Sequence, residues 1–182
     1  MQEAVNSEWE CLARAQRGDD MAWRVLIARH QARLAAIALF VTGSAAAADD
    51  VVQETLVRAL RARIRHTSGT VRGFLGTIAY RLAVKEAVRL KRNVGLDGVD
   101  LPGSGANALD LVLTDERDRG VAEAITTLDA EHRDVLILRF YGGHSYEEIA
   151  EILGVPLGTV KSRIFYAVKS CRGALKEKGV LR

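Results

Sequence analysis

The sequence predicts an all-α chain of two small helical domains joined by a flexible linker, the second containing a helix-turn-helix. Three observations predict it. Apolar residues recur at helical spacing along most of the chain, no run alternates with period two for long enough to build a sheet, and one glycine-rich segment breaks the pattern near the middle. A length of 182 residues suits two small domains, and 48% hydrophobic with 27% charged residues excludes wholesale disorder and collagen-like repeats. The expected boundaries are 1–93 for the first domain, 94–113 for the linker and 114–182 for the second domain.

The elements follow in order. Ser7 and Glu10 have the spacing of a capping box, in which each side chain satisfies a free amide of the first turn, so a helix is expected to open there and to end at Gly18. A second helix runs from about residue 20 to 41 and stops at Gly43, with Trp23, Leu26, Ile27, Leu34, Ile37 and Leu39 on a broad apolar stripe. Ser44 caps a third, with Val51, Val52, Thr55, Leu56, Ala59 and Leu60 inward. Thr70 caps a fourth, whose stripe is Phe74, Leu75, Ile78, Leu82 and Val88. Residues 94–107, VGLDGVDLPGSGAN, have no helical periodicity and read as a linker. Beyond it, helices are expected at 114–127, 129–141, 145–153 and 156–178, punctuated by Gly142-Gly143 and by Gly154-Val155-Pro156.

The formal net charge of +3 is unevenly distributed: −3 over residues 1–57, +9 over 58–93, −7 over 94–138 and +4 over 139–182. Two basic segments separated by an acidic one suggest two surfaces that meet a polyanion. Cys11 and Cys171 lie near opposite ends in no metal-ligand spacing, which fits two small buried or idle thiols in a reducing cytoplasm. No metal and no cofactor is expected. The acidic start (Glu3, Glu8, Glu10) is unlike a signal peptide, and the longest apolar stretch, residues 34–41, is too short for a bilayer. His30, His66, His132 and His144 are scattered and expected at surfaces or helix ends, so no catalytic residue is assigned and an enzyme is the least favoured class.

Residues 145–163, SYEEIAEILGVPLGTVKSR, carry the second domain. Ser145 and Glu148 make a capping box, Ile149, Ala150, Ile152 and Leu153 face inward, Gly154 permits a left-handed helix end, and Pro156 suits the start of the next helix. Two short helices about a glycine-bearing turn form a helix-turn-helix, with Val160 as the apolar anchor of its second helix. That leaves Thr159, Lys161, Ser162, Arg163, Phe165 and Tyr166 as the residues that reach bases and phosphates in a major groove. Lys161 and Arg163, two apart, do not share a face, so one reads a base while the other grips phosphate.

In the first domain, residues 48–59, ADDVVQETLVRA, put Asp49, Asp50, Gln53 and Glu54 on neighbouring positions of one helix. This is either an acidic solvated face near a helix N-terminus, which the macrodipole favours, or a docking surface for a basic partner. The next helix presents Arg72, Arg81, Lys85, Arg89, Lys91 and Arg92 with Phe74 and Tyr80 among them. Cations with interleaved aromatics suit single-stranded nucleic acid, whose bases stack while its phosphates are neutralised. Phe74 also fits the apolar core.

Taken together, residues 138–163 (LRFYGGHSYEEIAEILGVPLGTVKSR), residues 49–55 (DDVVQET) and the basic helix, in this arrangement, resemble the extracytoplasmic-function class of the bacterial sigma-70 family. The resemblance implies an alternative sigma factor that directs promoter-specific transcription initiation. Asp49, Asp50, Gln53 and Glu54 would dock on a coiled coil in the largest subunit of core RNA polymerase. Arg72, Phe74, Tyr80, Arg81, Lys85 and Arg89 would engage the minus-ten element of promoter DNA, and the helix-turn-helix would read the minus-thirty-five element. Asp97, Asp100 and Asp110 of the linker would lie in the polymerase near the RNA path. The resemblance also implies a cytoplasmic protein that an anti-sigma factor can hold inactive, at the membrane in some cases. Three positions depart from the family pattern: Ala47 stands for an acidic residue, Phe74 for a common tryptophan, and Tyr80, Arg81 and Lys85 make residues 78–85 more basic. A stand-alone helix-turn-helix regulator that binds duplex DNA as a dimer, and a helical decoy that sequesters a partner, are the rival readings.

Overall fold

The computed structural model describes residues 2–64, 69–93 and 116–178. The linker with Asp97, Asp100 and Asp110, and also His66, lie outside the described residues. Everything regular in the described residues is helical.

Helix α1 (Gln2–Gln16) starts ahead of the expected capping box, so Ser7 and Glu10 lie inside it. No proline or glycine precedes Ser7 to stop the helix from extending backwards. Gly18, at φ 92°, ends that segment, and the Asp19 side chain then caps α2 (Asp20–Thr42) by accepting from the Ala22 amide at 3.0 Å. Gly43, at φ 68°, closes α2 in the left-handed conformation, where a Cβ would be strained. Ser44 caps α3 (Ala45–Arg61), and the Thr70 hydroxyl accepts from the Gly73 amide at the start of α4 (Val71–Asn93).

These four helices form a bundle around α2, which packs on α1, α3 and α4. By length and composition alone α2 is apolar enough to cross a membrane. Here its apolar face is core: Leu26, Leu34, Ile37, Leu39 and Phe40 are buried. On α4 the deepest stripe is Val71, Leu75, Ala79 and Ala83, at four-residue steps, while Phe74, Ile78 and Leu82 flank it half-buried. Val88, expected inward, is exposed. Long-range bonds tie the bundle's ends: the Trp9 indole donates to the Gly69 carbonyl at 3.2 Å, and the Gln16 amide donates to the carbonyls of Ala59 at 2.7 Å and Ala62 at 3.0 Å.

The second group comprises α5 (Glu116–Thr126), α6 (Ala130–Leu136), α7 (Tyr146–Leu153) and α8 (Leu157–Glu177). Asp129 caps α6 through the His132 amide. The helix expected over 129–141 does not finish as a regular α-helix: Ile137–Gly142 widens into a π-helical turn. Ile137 and Leu138 on that turn are fully buried, and the turn packs against α2 and α4. The two helical groups thus share one continuous buried cluster, from Trp9 to Leu175.

The capping box at Ser145 forms as expected. The Ser145 hydroxyl accepts from the Glu148 amide at 3.1 Å, and the Glu148 carboxylate accepts from the Ser145 amide at 2.7 Å. Ser145→Ala removes an acceptor from the first turn of a helix only two turns long, and should cost about 1 kcal/mol. A lowered urea midpoint with unchanged slope is the expected readout.

Candidate functional site

Helix α3 separates its chemistry cleanly. Val51, Val52, Thr55 and Ala59 are buried on one side, and Asp49, Asp50, Gln53 and Glu54 are all exposed on the other. Inward Thr55 satisfies its hydroxyl by donating to the Val51 carbonyl at 2.7 Å, so the buried face carries no orphan. Of the four exposed residues, Glu54 pairs with Arg58 at 2.6 Å, with both side chains about half exposed. Such pairs contribute little to stability, so this acidic face is available to a partner. It borders the basic side of α4: Asp50 adds to the field that, after Glu86, raises the Arg89 pKa.

The six residues expected on α4 divide into two sets. Arg81, Lys85 and Arg89 are exposed at four-residue intervals, one continuous cationic stripe, with Val84 and Val88 exposed beside it. Arg89 is partly engaged with Glu86 at 2.6 Å. The other three are built into the fold. Phe74 packs on Trp9 with ring centroids 5.7 Å apart. Arg72 donates from Nε to the Tyr141 carbonyl at 3.0 Å and from Nη2 to the Phe140 carbonyl. Burial pushes its pKa below the ordinary arginine value, with Arg33 adding to the effect. Tyr80 is 6% exposed, and its hydroxyl donates to Asp134 of α6 at 2.7 Å. Burial raises the pKa of both partners, keeping the phenol protonated as the donor.

In the helix-turn-helix, Gly154 adopts φ 66° between α7 and α8, and Ile149 and Val160 are fully buried. Pro156 stands at the cap of α8, one step before its first turn. Lys161, Ser162, Phe165 and Tyr166 face solvent, and Thr159 is half-buried. Phe165 and Tyr166 are 63% and 56% exposed and meet edge to face at 5.4 Å. Two large rings left in water on one turn mark a contact surface more specifically than single apolar residues do. Arg163 turns away: its guanidinium pairs with Glu131 of α6 at 2.5 Å. Lys161 and Arg163 thus point to different surroundings, and Lys161 is the exposed cation of the two. Sequence reasoning stopped short on this helix. The face of Lys161 and Phe165 continues through exposed Lys169 and Arg172, and the four-residue steps 161, 165 and 169 carried that signal.

His30, expected at a surface or helix end, is buried in mid-helix instead, and His144 does stand at a helix end, just before the Ser145 cap, but is buried there. His30 is 2% exposed, with Nε2 3.1 Å from Glu8, and burial lowers its pKa against the pull of that carboxylate. His144 is also 2% exposed, with burial again lowering its pKa. Both are enclosed by helices distant in sequence, which local spacing does not reveal. Among the described residues, no group of histidines, cysteines and carboxylates is placed to hold a metal ion.

Residues 26–93 match the family Sigma-70 region 2, and residues 124–173 match Sigma-70, region 4. The ECF RNA polymerase sigma factor SigL of Mycobacterium tuberculosis is 40% identical over 164 residues, covering 87% of this chain and 92% of its own. The RNA polymerase sigma-H factor of Pseudomonas aeruginosa is 31% identical over 187 residues, covering 92% and 93%. Among solved structures, CnrH in complex with the cytosolic domain of CnrY superposes with a TM-score of 0.60 at 26% identity, over 92% of this chain and 96% of that one. The sigma factor RpoE of Bartonella quintana, solved with the anti-sigma factor NepR, shares the fold at a TM-score of 0.62 and 24% identity, over 84% and 96%. Family matches at both ends and a relative aligned along nearly its whole length agree on one conclusion: the chain belongs to the ECF sigma factors of the sigma-70 family.

Proposed function

We propose that this sigma factor docks on core RNA polymerase through Asp49, Asp50, Gln53 and Glu54, and reads promoter DNA with two separate surfaces. The duplex reader is the exposed side of α8 at Thr159, Lys161, Ser162, Phe165 and Tyr166, with Arg163 joining if it leaves Glu131. The single-strand reader is α4, led by Arg81, Lys85 and Arg89. The observation that carries this reading is the division of α3, whose acidic residues are all exposed while Val51, Val52, Thr55 and Ala59 are buried behind them. An acidic face beside a cationic stripe lets one small bundle hold a protein and a nucleic acid at once.

The proposed domains are 1–93 and 114–182 with a linker at 94–113. The match to region 2 ends at residue 93, which supports the first boundary. The chain itself makes and breaks no bond. It works in the cytoplasm with the polymerase, and an anti-sigma factor restrains it, a partner that the name of the Bartonella quintana complex gives to that sigma factor. Opening the duplex costs a few kcal/mol for each unstacked base, which stacking and phosphate contacts offset.

Run-off transcription with purified core polymerase, on a fragment carrying this protein's own upstream region and on a genomic template pool, tests the reading. A discrete transcript that depends on the chain is expected. Failure to bind core at all would leave a stand-alone DNA-binding regulator. On the responsive promoter, Lys161→Ala should lose about 1–3 kcal/mol of duplex affinity if the lysine reads a base, with relaxed preference at one position. If it contacts phosphate, the loss is uniform across sequences and the salt slope falls by about one.

A further inference from the structure

Helix α2 is apolar on two sides. Inward, Leu26, Leu34 and Ile37 are buried in the bundle. Outward, Met21, Val25, Ala28 and Ala32 recur at steps of four, three and four residues, which aligns them in one stripe along the first turns of the helix, and all four are exposed. Met21 is 68% exposed and Val25 47%. A helix that is apolar all round is ordinarily enclosed all round. This one is covered on one face, and its outer stripe is left in water.

Arginines flank that stripe. At 100° per residue Arg24 falls on one side of it and Arg29 and Arg33 on the other, while the one acidic residue of α2 is Asp20 in the first turn. Arg29 shares the Glu8 carboxylate with His30, at 3.2 Å and 3.1 Å. Arg24 and Arg33 are exposed and have no ion-pair partner among the described residues. Beyond the effect of burial, Arg33 pushes the pKa values of His30 and Arg72 down while Glu8 pulls them up, so a single carboxylate answers two arginines on that side. The cations are all of one kind, since residues 1–84 contain no lysine. Methionine and arginine are enriched where proteins meet, and lysine is depleted there.

The make-up of the stripe selects its occupant. A second copy related by a two-fold axis would crowd the arginines of both chains round one apolar centre, and like charges so opposed are repelled. A lipid surface calls for large apolar side chains, whereas two of these four are alanines. Alanines do suit another helix, whose backbone approaches most closely over small residues. Carboxylates on that helix would complement the guanidinium forks, which bind them through paired hydrogen bonds.

We propose that the outer stripe of α2 is a docking surface for an acidic amphipathic helix of a protein other than core polymerase, with apolar residues seated on Met21, Val25, Ala28 and Ala32 and carboxylates set against Arg24 and Arg33. The exposed face of α3 has the opposite sign, so the two surfaces select different partners: a basic segment that suits Asp49, Asp50 and Glu54 is repelled by α2, and an acidic helix is repelled by α3. They share no residue, so one chain holds both partners at once.

A photo-reactive benzoylphenylalanine in place of Val25, in the whole chain expressed in its host bacterium, tests the surface, with the same group in place of Gln53 as the control on α3. The Val25 position should cross-link to a protein segment whose apolar residues recur at helical spacing between aspartates and glutamates, in complexes that also contain core polymerase. With that segment as a synthetic peptide, Arg24→Glu together with Arg33→Glu should weaken binding about tenfold or more. Lysines in place of the flanking carboxylates of the peptide should recover it, which arginines of merely structural role would not allow. A cross-link to a second copy, to lipid, to core polymerase or to a segment without acidic flanks overturns the proposal, as does a partner found only on chains free of core. A silent Val25 position beside a Gln53 position that reaches core also overturns it, and leaves the docking of α3 standing. The converse pattern supports the α2 surface and overturns the docking of α3, and silence at both positions overturns both.

Discussion

Reversing Asp50 and Glu54 together to lysine is expected to abolish the chain-dependent transcript and the stable complex with core polymerase. Both side chains are exposed, and the residues that pack α3 lie on its other face, so the variant should fold normally. Losing the Glu54 pair with Arg58 removes a solvent-exposed contact worth no more than about 1 kcal/mol. A basic docking partner that met two carboxylates would instead meet two ammonium groups, and like charges opposed across an interface cost several kcal/mol. At about 1.4 kcal/mol per tenfold, that is a loss of two orders of magnitude or more in binding. Co-purification with core polymerase and run-off yield measure the functional part, and circular dichroism checks the fold. Undiminished binding to core would mean that the docking surface lies elsewhere.

The exposed acidic face of α3 was legible in the sequence because its signals are local, whereas its reading as a docking surface came only from the family resemblance. Alternation of acid and apolar residues over two turns gives the exposed face of α3, Gly43 and Gly154 give helix ends, and Ser145 with Glu148 gives a helix start. What stayed hidden depends on contacts distant along the chain. Tyr80 stands between Ala79 and Arg81 on a basic helix and resembles a base-stacking residue, yet its hydroxyl finds a carboxylate on α6. Arg72 has the look of a phosphate contact and serves as a cap for another element's carbonyls. The apolar stripe of α4 was misplaced at Val88 because Ala79 and Ala83 carry little hydrophobic weight in the sequence, although they sit at the deepest positions. The π-helical turn has no sequence periodicity of its own, and it is the element that joins the two helical groups.

The same distinction between local and distant contacts fixes the consequences of a Val160→Asp substitution. Val160 is fully buried on α8, in the cluster that also holds Ile149, Ile164 and Ala167. Val160→Ala should cost about 2 kcal/mol by transfer and cavity terms. Val160→Asp loses the same contacts and also places an unpaired carboxylate where the side chain has no access to water, which costs several kcal/mol more or forces the helices apart. Against a total stability of about 5–15 kcal/mol for an ordinary domain, this is enough to detach α8 from α7. Helices α1 to α4 keep their own buried residues around α2, so the damage should be confined to the second group. The expected result is loss of duplex binding to the upstream element by two orders of magnitude or more, with binding to core polymerase through α3 retained in part. Hydrogen exchange should report the division directly, with protection lost over residues 145–177 and kept at the centre of α2. If Val160→Asp binds the duplex as wild type does, then α8 is not held by that anchor and the helix-turn-helix is not what reads the promoter.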